Sequence, residues 1–262
     1  MSRYVALGSS MAAGPGIRPS ANGAPFRSGR SGRNYAHVAA EKLGLDLVDV
    51  TFSGATTANV LTDPQHGAPP QVDALDGSED LVTVTIGGND VGYVQLLFAA
   101  GLPRLARSLP LLGRLLRGQL EPTARELALV EVAESLKQVG RTLRQRSPRA
   151  KVLFVDYLTL LPAGSPAPPL SDLDVALGRR VADTLERITG EAAADTGCKW
   201  VRVAQASREH HAWSECPWTM KPTKFGLPLP GRPAPLHPNA EGMRAVAELI
   251  VGMVGRPGNL KS

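Results

Sequence analysis

The chain has 262 residues, of which 43% are hydrophobic and 20% charged, with a formal net charge of +5. That length and balance suit one large globular domain with a well-buried core and exclude a disordered or fibrous chain. No apolar run reaches the roughly 18 residues that span a bilayer, and the arginines are spread along the chain without the dense basic block that a nucleic-acid partner would need.

Met1-Ser2-Arg3 leads straight into an apolar run, with no secretory leader pattern. A cytoplasmic protein is expected on that ground, and a secreted one only if a leader was removed. The first predicted strand is "RYVAL" (3–7), which stops at Gly8-Ser9-Ser10-Met11 and passes into small residues. A helix pattern over Asn34 to Leu43 ends at Gly44, which suits a helix terminus. "LDLVDVT" (45–51) is a second strand followed by "FSGATTAN", and "LVTVTI" (81–86) a third followed by "GGND".

Residues 93–120 are leucine-rich and break the alternation; they read as helices on the sheet or as an apolar wall for an acyl chain. Arg104, Arg107, Arg114 and Arg117 recur there at helical intervals, a face suited to solvent or to an anionic lipid surface. From Pro122 to Gln145, Leu127, Val130, Val132, Leu136, Val139 and Leu143 fall near helical spacing. "KVLFVD" (151–156) is the fourth strand, and a helix from Ser171 to Ala194 is capped by Ser171 or Asp172. "KWVRV" (199–203) is the fifth strand. A long loop over 205–236 precedes a last helix from Pro238 to Val254, with Pro238 in its first turn. Short strands alternating with helices predict an α/β domain with a parallel sheet, spanning 1–262 as a single unit.

Ligands of such sheets bind beyond the carboxyl ends of the strands. Ser9-Ser10, Ser53-Gly54, Asn89-Asp90 and His237 all fall at that edge. A serine hydroxyl becomes a nucleophile when a base takes its proton, and histidine is the usual base near neutral pH. The resulting oxyanion needs fixed donors, which glycine-turn N–H groups and an asparagine amide supply.

These four blocks resemble those of the SGNH hydrolases, the GDSL lipase/esterase family, in order and over nearly the whole chain. "YVALGSSMAAGPG", "SGATTA" and "TVTIGGND" are most similar to its actinobacterial and fungal lipase-esterase branch. The resemblance implies a flavodoxin-like three-layer α/β/α sandwich of about five parallel strands. It implies a serine hydrolase that cleaves carboxylic esters or thioesters through an acyl-enzyme, without metal or other cofactor, and the apolar surroundings suit a short-to-medium acyl ester. Ser10 falls on the nucleophile and His237 on the base, with Ser10, Gly54 and Asn89 forming the oxyanion hole. His211, Cys216 and Pro217-Trp218 also match that branch, which implies a Cys198–Cys216 disulfide; spacing alone leaves one disulfide and two free thiols both open. Trp213 and Trp218 are placed to line the pocket from the other side. The expected partner is a small-molecule ester or lipid, with no nucleic acid, no transmembrane segment and a monomer favoured.

Two positions depart from the family pattern. Ser9 stands where the motif has Asp, and Ala234 stands where the triad carboxylate belongs, three residues before His237. The expectation is therefore a Ser10–His237 dyad whose imidazole is oriented by the Ala234 backbone carbonyl, unless Asp90 or Glu215 takes that place. An O-deacetylase or acyltransferase of carbohydrates or natural products is the alternative of the same class. An inactive binding protein descended from hydrolases is the alternative of another class.

Overall fold

The structure, a computed structural model, describes residues 2–103, 118–223 and 231–255. Five strands pair in parallel: β1 (Arg3–Gly8), β2 (Asp46–Asp49), β3 (Glu79–Thr85), β4 (Lys151–Val155) and β5 (Lys199–Val201). Their order across the sheet is β2-β1-β3-β4-β5. This is the doubly wound flavodoxin-like arrangement, whose winding reverses between β1 and β3. All five predicted strands are present, and the predicted "VT" end of the second is loop, because Thr51 turns back on the Asp49 carboxylate.

Alternate strand residues feed two cores, as the period of two requires. Val5, Leu7, Val82, Val84, Val152 and Phe154 face one layer. There they meet α3 (Thr57–Leu61), α4 (Tyr93–Gly101), α5 (Pro122–Arg146) and α6 (Asp172–Asp195). Tyr4, Ala6, Leu81, Leu153, Val155 and Val201 face the other, against α2 (Tyr35–Leu43) and α8 (Ala240–Val254). Two short helices, α1 (Ser10–Ala13) and α7 (Val203–Ala206), follow β1 and β5 directly.

The caps explain most boundaries. Asn34 accepts the His37 N–H at the start of α2, and left-handed Gly44 ends it. Ser171, not Asp172, caps α6. The last helix begins at Ala240 rather than Pro238, because Asn239 accepts the Gly242 N–H and Pro238 is held in a bridge to Thr219. On α5, Val132, Leu136, Val139 and Leu143 are buried as predicted, but Leu127 and Val130 are 62% and 73% exposed. Leu129 takes the inward place instead, since 3.6 residues per turn carries 129, 132, 136, 139 and 143 along one stripe.

Of the leucine-rich region, residues 93–101 form α4; the arginine series Arg104 to Arg117 lies outside the described residues. The expected Cys198–Cys216 disulfide is absent, and both thiols are free. Cys198 enters β5 at the amino edge, packed by Thr196 and Gly140, while Cys216 is exposed in the loop beyond the carboxyl edge. Among the described residues no helix is long and apolar enough to cross a membrane.

Candidate active site

At the reversal point, β1 delivers Ser10. Gly8 sits at φ +141°, and a Cβ there would lie 2.5 Å from the Thr85 carbonyl oxygen of β3, so only glycine lets the strands meet this closely. Gln71 brackets the same peptide, its Oε1 accepting the Gly8 N–H at 2.7 Å and its Nε2 donating to the Gly8 carbonyl at 3.1 Å. Ser9 holds the N-cap position of α1 without a side-chain cap bond, and Ser10 is the first helical residue. The Ser10 hydroxyl is therefore not spent on capping. Its Oγ lies 2.8 Å from His237 Nε2.

His237 comes from the loop that precedes α8. Its Nδ1 lies 2.7 Å from the Pro235 carbonyl oxygen, which corrects the expectation for Ala234. The Ala234 carbonyl is occupied by the His237 backbone N–H at 3.3 Å. Residues 234–237 thus close a tight turn with Pro235 second and Leu236 third, and Leu236 has φ +60°. A positive φ at the third position is the type II signature. It rotates the Pro235–Leu236 peptide so that the Pro235 carbonyl faces the imidazole. Leu236, fully buried, anchors the turn, and its N–H bonds the Met220 carbonyl. Neither Asp90 nor Glu215 approaches the ring. Burial pulls the His237 pKa below its usual value, while the Pro235 carbonyl opposes that pull. The ring is thus held neutral, with Nδ1–H donating to Pro235 and the Nε2 lone pair facing Ser10.

Gly54 and Asn89 converge on the same cleft. Gly54 adopts φ +82°, a left-handed turn that glycine tolerates. The backbone N–H groups of Ser10 and Gly54 have no acceptor among the described residues. Asn89 Nδ2 donates to the Ala55 carbonyl at 2.8 Å, which leaves its second N–H available. Asp90 turns away from the cleft and accepts the Thr57 N–H at 3.0 Å and the Thr57 hydroxyl at 2.5 Å. Asn89 and Asp90 together thereby lash the Gly87–Asp90 turn to the Gly54 loop. On its other side, the Gly88 N–H donates to the Tyr157 hydroxyl at 2.8 Å, and Tyr157 also bonds Ser9. Burial pushes the Tyr157 phenol well up, so it stays protonated.

The cleft has a volume of about 570 Å³. Val94, Phe98 and Leu102, on and just after α4, form an apolar wall, and Gln95 and Gln119 are its polar elements. Gln95 donates to Asn89 Oδ1 at 3.2 Å. Trp213 and Trp218 are not part of it. Trp213 bonds the Pro168 carbonyl, and Trp218 stacks on His210 at 3.9 Å. Ser10, Gly54, Asn89 and His237, 227 residues apart in sequence at the extremes, are brought together. Gln71, Thr57, Tyr157 and Pro235 carry no sequence signal for the roles they take, because each acts through one atom placed by the fold.

The GDSL-like lipase/acylhydrolase family model matches residues 6–245. The chain is 34% identical to Lipase 2 of Streptomyces coelicolor over 263 aligned positions, which cover 96% of this chain and 85% of the relative. Among solved structures, an extracellular lipase from Streptomyces rimosus is 26% identical with a TM-score of 0.77, covering 96% of this chain and 99% of that one. A phospholipase A1 from Streptomyces albidoflavus shares the fold at 23% identity, with a TM-score of 0.76 and coverage of 96% and 98%. Matched over nearly its whole length in sequence and in fold, the chain belongs to the GDSL-like lipase/acylhydrolase family of carboxylic ester hydrolases.

Proposed function

We propose that this chain hydrolyses carboxylic esters with an apolar acyl group by a Ser10–His237 dyad. The observation that carries the reading is the relay Ser10 Oγ, His237 Nε2, His237 Nδ1, Pro235 O, with steps of 2.8 and 2.7 Å at its two ends. His237 Nε2 takes the Ser10 proton as Oγ attacks the ester carbonyl carbon. The imidazolium is held by the Pro235 carbonyl, which keeps Nδ1–H in place as a carboxylate would, though without its charge. The Ser10 and Gly54 N–H groups and the free Asn89 amide N–H receive the oxyanion, each worth roughly 10²–10³ in rate. His237 then protonates the leaving alkoxide, and a water deprotonated at Nε2 releases the acid by the reverse path. The wall of Val94, Phe98 and Leu102 is the acyl side of the cleft. Its apolar character and the curated relative named a lipase favour lipid-like esters over acetylated carbohydrates.

The test is fluorophosphonate labelling of wild type and Ser10→Ala, with hydrolysis of p-nitrophenyl acetate, butyrate and octanoate alongside. Labelling should vanish and turnover fall roughly 10³-fold or more in the variant, with the longer acyl chains preferred. A wild type that binds ester but is neither labelled nor active would replace this reading with that of a binding protein.

A further inference from the structure

One wall of the cleft mouth carries a charge pattern that the reaction does not use. The first 40 residues contain no Asp or Glu, and the stretch 15–33, "PGIRPSANGAPFRSGRSGR", contains four arginines. Residues 19–21 and 30–32 fold back on each other, with the Ala21 N–H on the Arg30 carbonyl and the Gly32 N–H on the Pro19 carbonyl. The stretch is a loop whose tip carries Phe26 and Arg27. Phe26 is 87% exposed, the highest value among the large hydrophobic residues of the described chain.

Arg30 is neutralised by Asp49 at 3.5 Å. Arg18, Arg27 and Arg33 are exposed, and none has a carboxylate partner among the described residues. Arg232 is exposed in the same way, and Arg18 Nε lies beside Gly231. Other exposed basic side chains do hold acids, as Arg187 holds Glu191 and Arg244 holds Glu241, while Arg180 and Lys199 hold none among the described residues; what marks this rim is that its exposed arginines cluster with no acid among them. The loop is also tied to the cleft. The Ser28 carbonyl accepts the Ser53 N–H at 2.8 Å, and Gly29 packs on Pro15 and Ser53, two residues of the cleft lining.

An exposed aromatic tip flanked by unpaired arginines, at the rim of an apolar cleft, is complementary to a lipid headgroup layer. We infer that the 15–33 loop docks the enzyme on an anionic lipid surface, with Phe26 entering the headgroup region and Arg18, Arg27, Arg33 and Arg232 on the phosphates. The inference rests on the lipid-ester reading above, since docking would bring the cleft mouth to the interface where such esters reside.

The experiment is co-sedimentation of the full chain carrying Ser10→Ala with vesicles of phosphatidylcholine alone or mixed with phosphatidylglycerol. Binding should need phosphatidylglycerol and weaken in high salt. Adding Arg18→Gln, Arg27→Gln and Arg33→Gln should cost about fivefold per charge, roughly a hundredfold in all. Phe26→Ala should weaken binding with all four arginines present. In an otherwise wild-type background the same arginine changes should leave hydrolysis of soluble p-nitrophenyl butyrate unaltered. Equal vesicle binding by the triple variant, indifference to phosphatidylglycerol, or capture by RNA in place of vesicles would each overturn the docking surface. A wild type inactive on the soluble ester would instead overturn the hydrolase reading and leave the vesicle result standing.

Discussion

His237 is set by its neighbours rather than by a carboxylate. Burial holds its pKa below the ordinary value, and a general base works only when neutral. The acid limb of kcat/KM is therefore expected below about pH 6.5, the unperturbed histidine value, in a pH profile on p-nitrophenyl butyrate. Ala234→Asp would place a carboxylate where the family has one. A negative charge near the ring favours the imidazolium, so the limb should move to higher pH, while the gain in kcat at pH 8 stays small because the Pro235 carbonyl already fixes the tautomer. A large gain would show that the carbonyl orients the ring poorly. At this scale Ser10, Asn89 and His237 were legible in sequence because their side-chain chemistry is specific. The Pro235 carbonyl was not, because every residue has a carbonyl, and which one reaches Nδ1 depends on Leu236 adopting a positive φ.

Between elements, two of the three proposed oxyanion donors, Gly54 and Asn89, sit on separate loops that are tied together by Asn89 on Ala55 and Asp90 on Thr57. Asp90→Ala removes the second tie and leaves the Thr57 N–H without its acceptor. The expected result is a fall in kcat of about 10- to 100-fold, less than the roughly 10²–10³ of a deleted donor, with KM nearly unchanged. A rise in KM alone would place Asp90 in ester binding instead. Tyr157→Phe leaves the buried Gly88 N–H unpaired, at a cost of about 1–3 kcal/mol to be read by denaturant unfolding. The strands and the long helices were readable from period and caps. The inward face of α5 was read half a turn wrong at Leu127 and Val130, since periodicity places a stripe only when the neighbouring layer is known.

For the molecule as a whole, stability is linked to pH through Asp156, which lies just beyond β4 and is 2% exposed. Burial pushes its carboxyl up to about 7, against the bonds it accepts from Ala204 N–H and Trp200 Nε1. The unfolded chain releases that proton near pH 3.9. Between about pH 4 and 7 the folded state thus binds more protons than the unfolded one, and stability falls as pH rises, by up to about 1.4 kcal/mol per pH unit. Thermal midpoints measured from pH 5 to 8 should decline more steeply for the wild type than for Asp156→Asn; parallel declines would show that this carboxyl does not titrate there. The sequence by itself determined the parallel α/β sheet and the four blocks at its carboxyl edge, because strand period, helix caps and nucleophile chemistry are local properties of residue types. Only the tertiary structure decided that the cysteines stay apart at opposite edges, that α4 and not the tryptophans walls the cleft, and that the Pro235 carbonyl, not that of Ala234, meets His237 Nδ1. Those are distances between segments far apart in the chain, and they exist only once the sheet has brought the segments together.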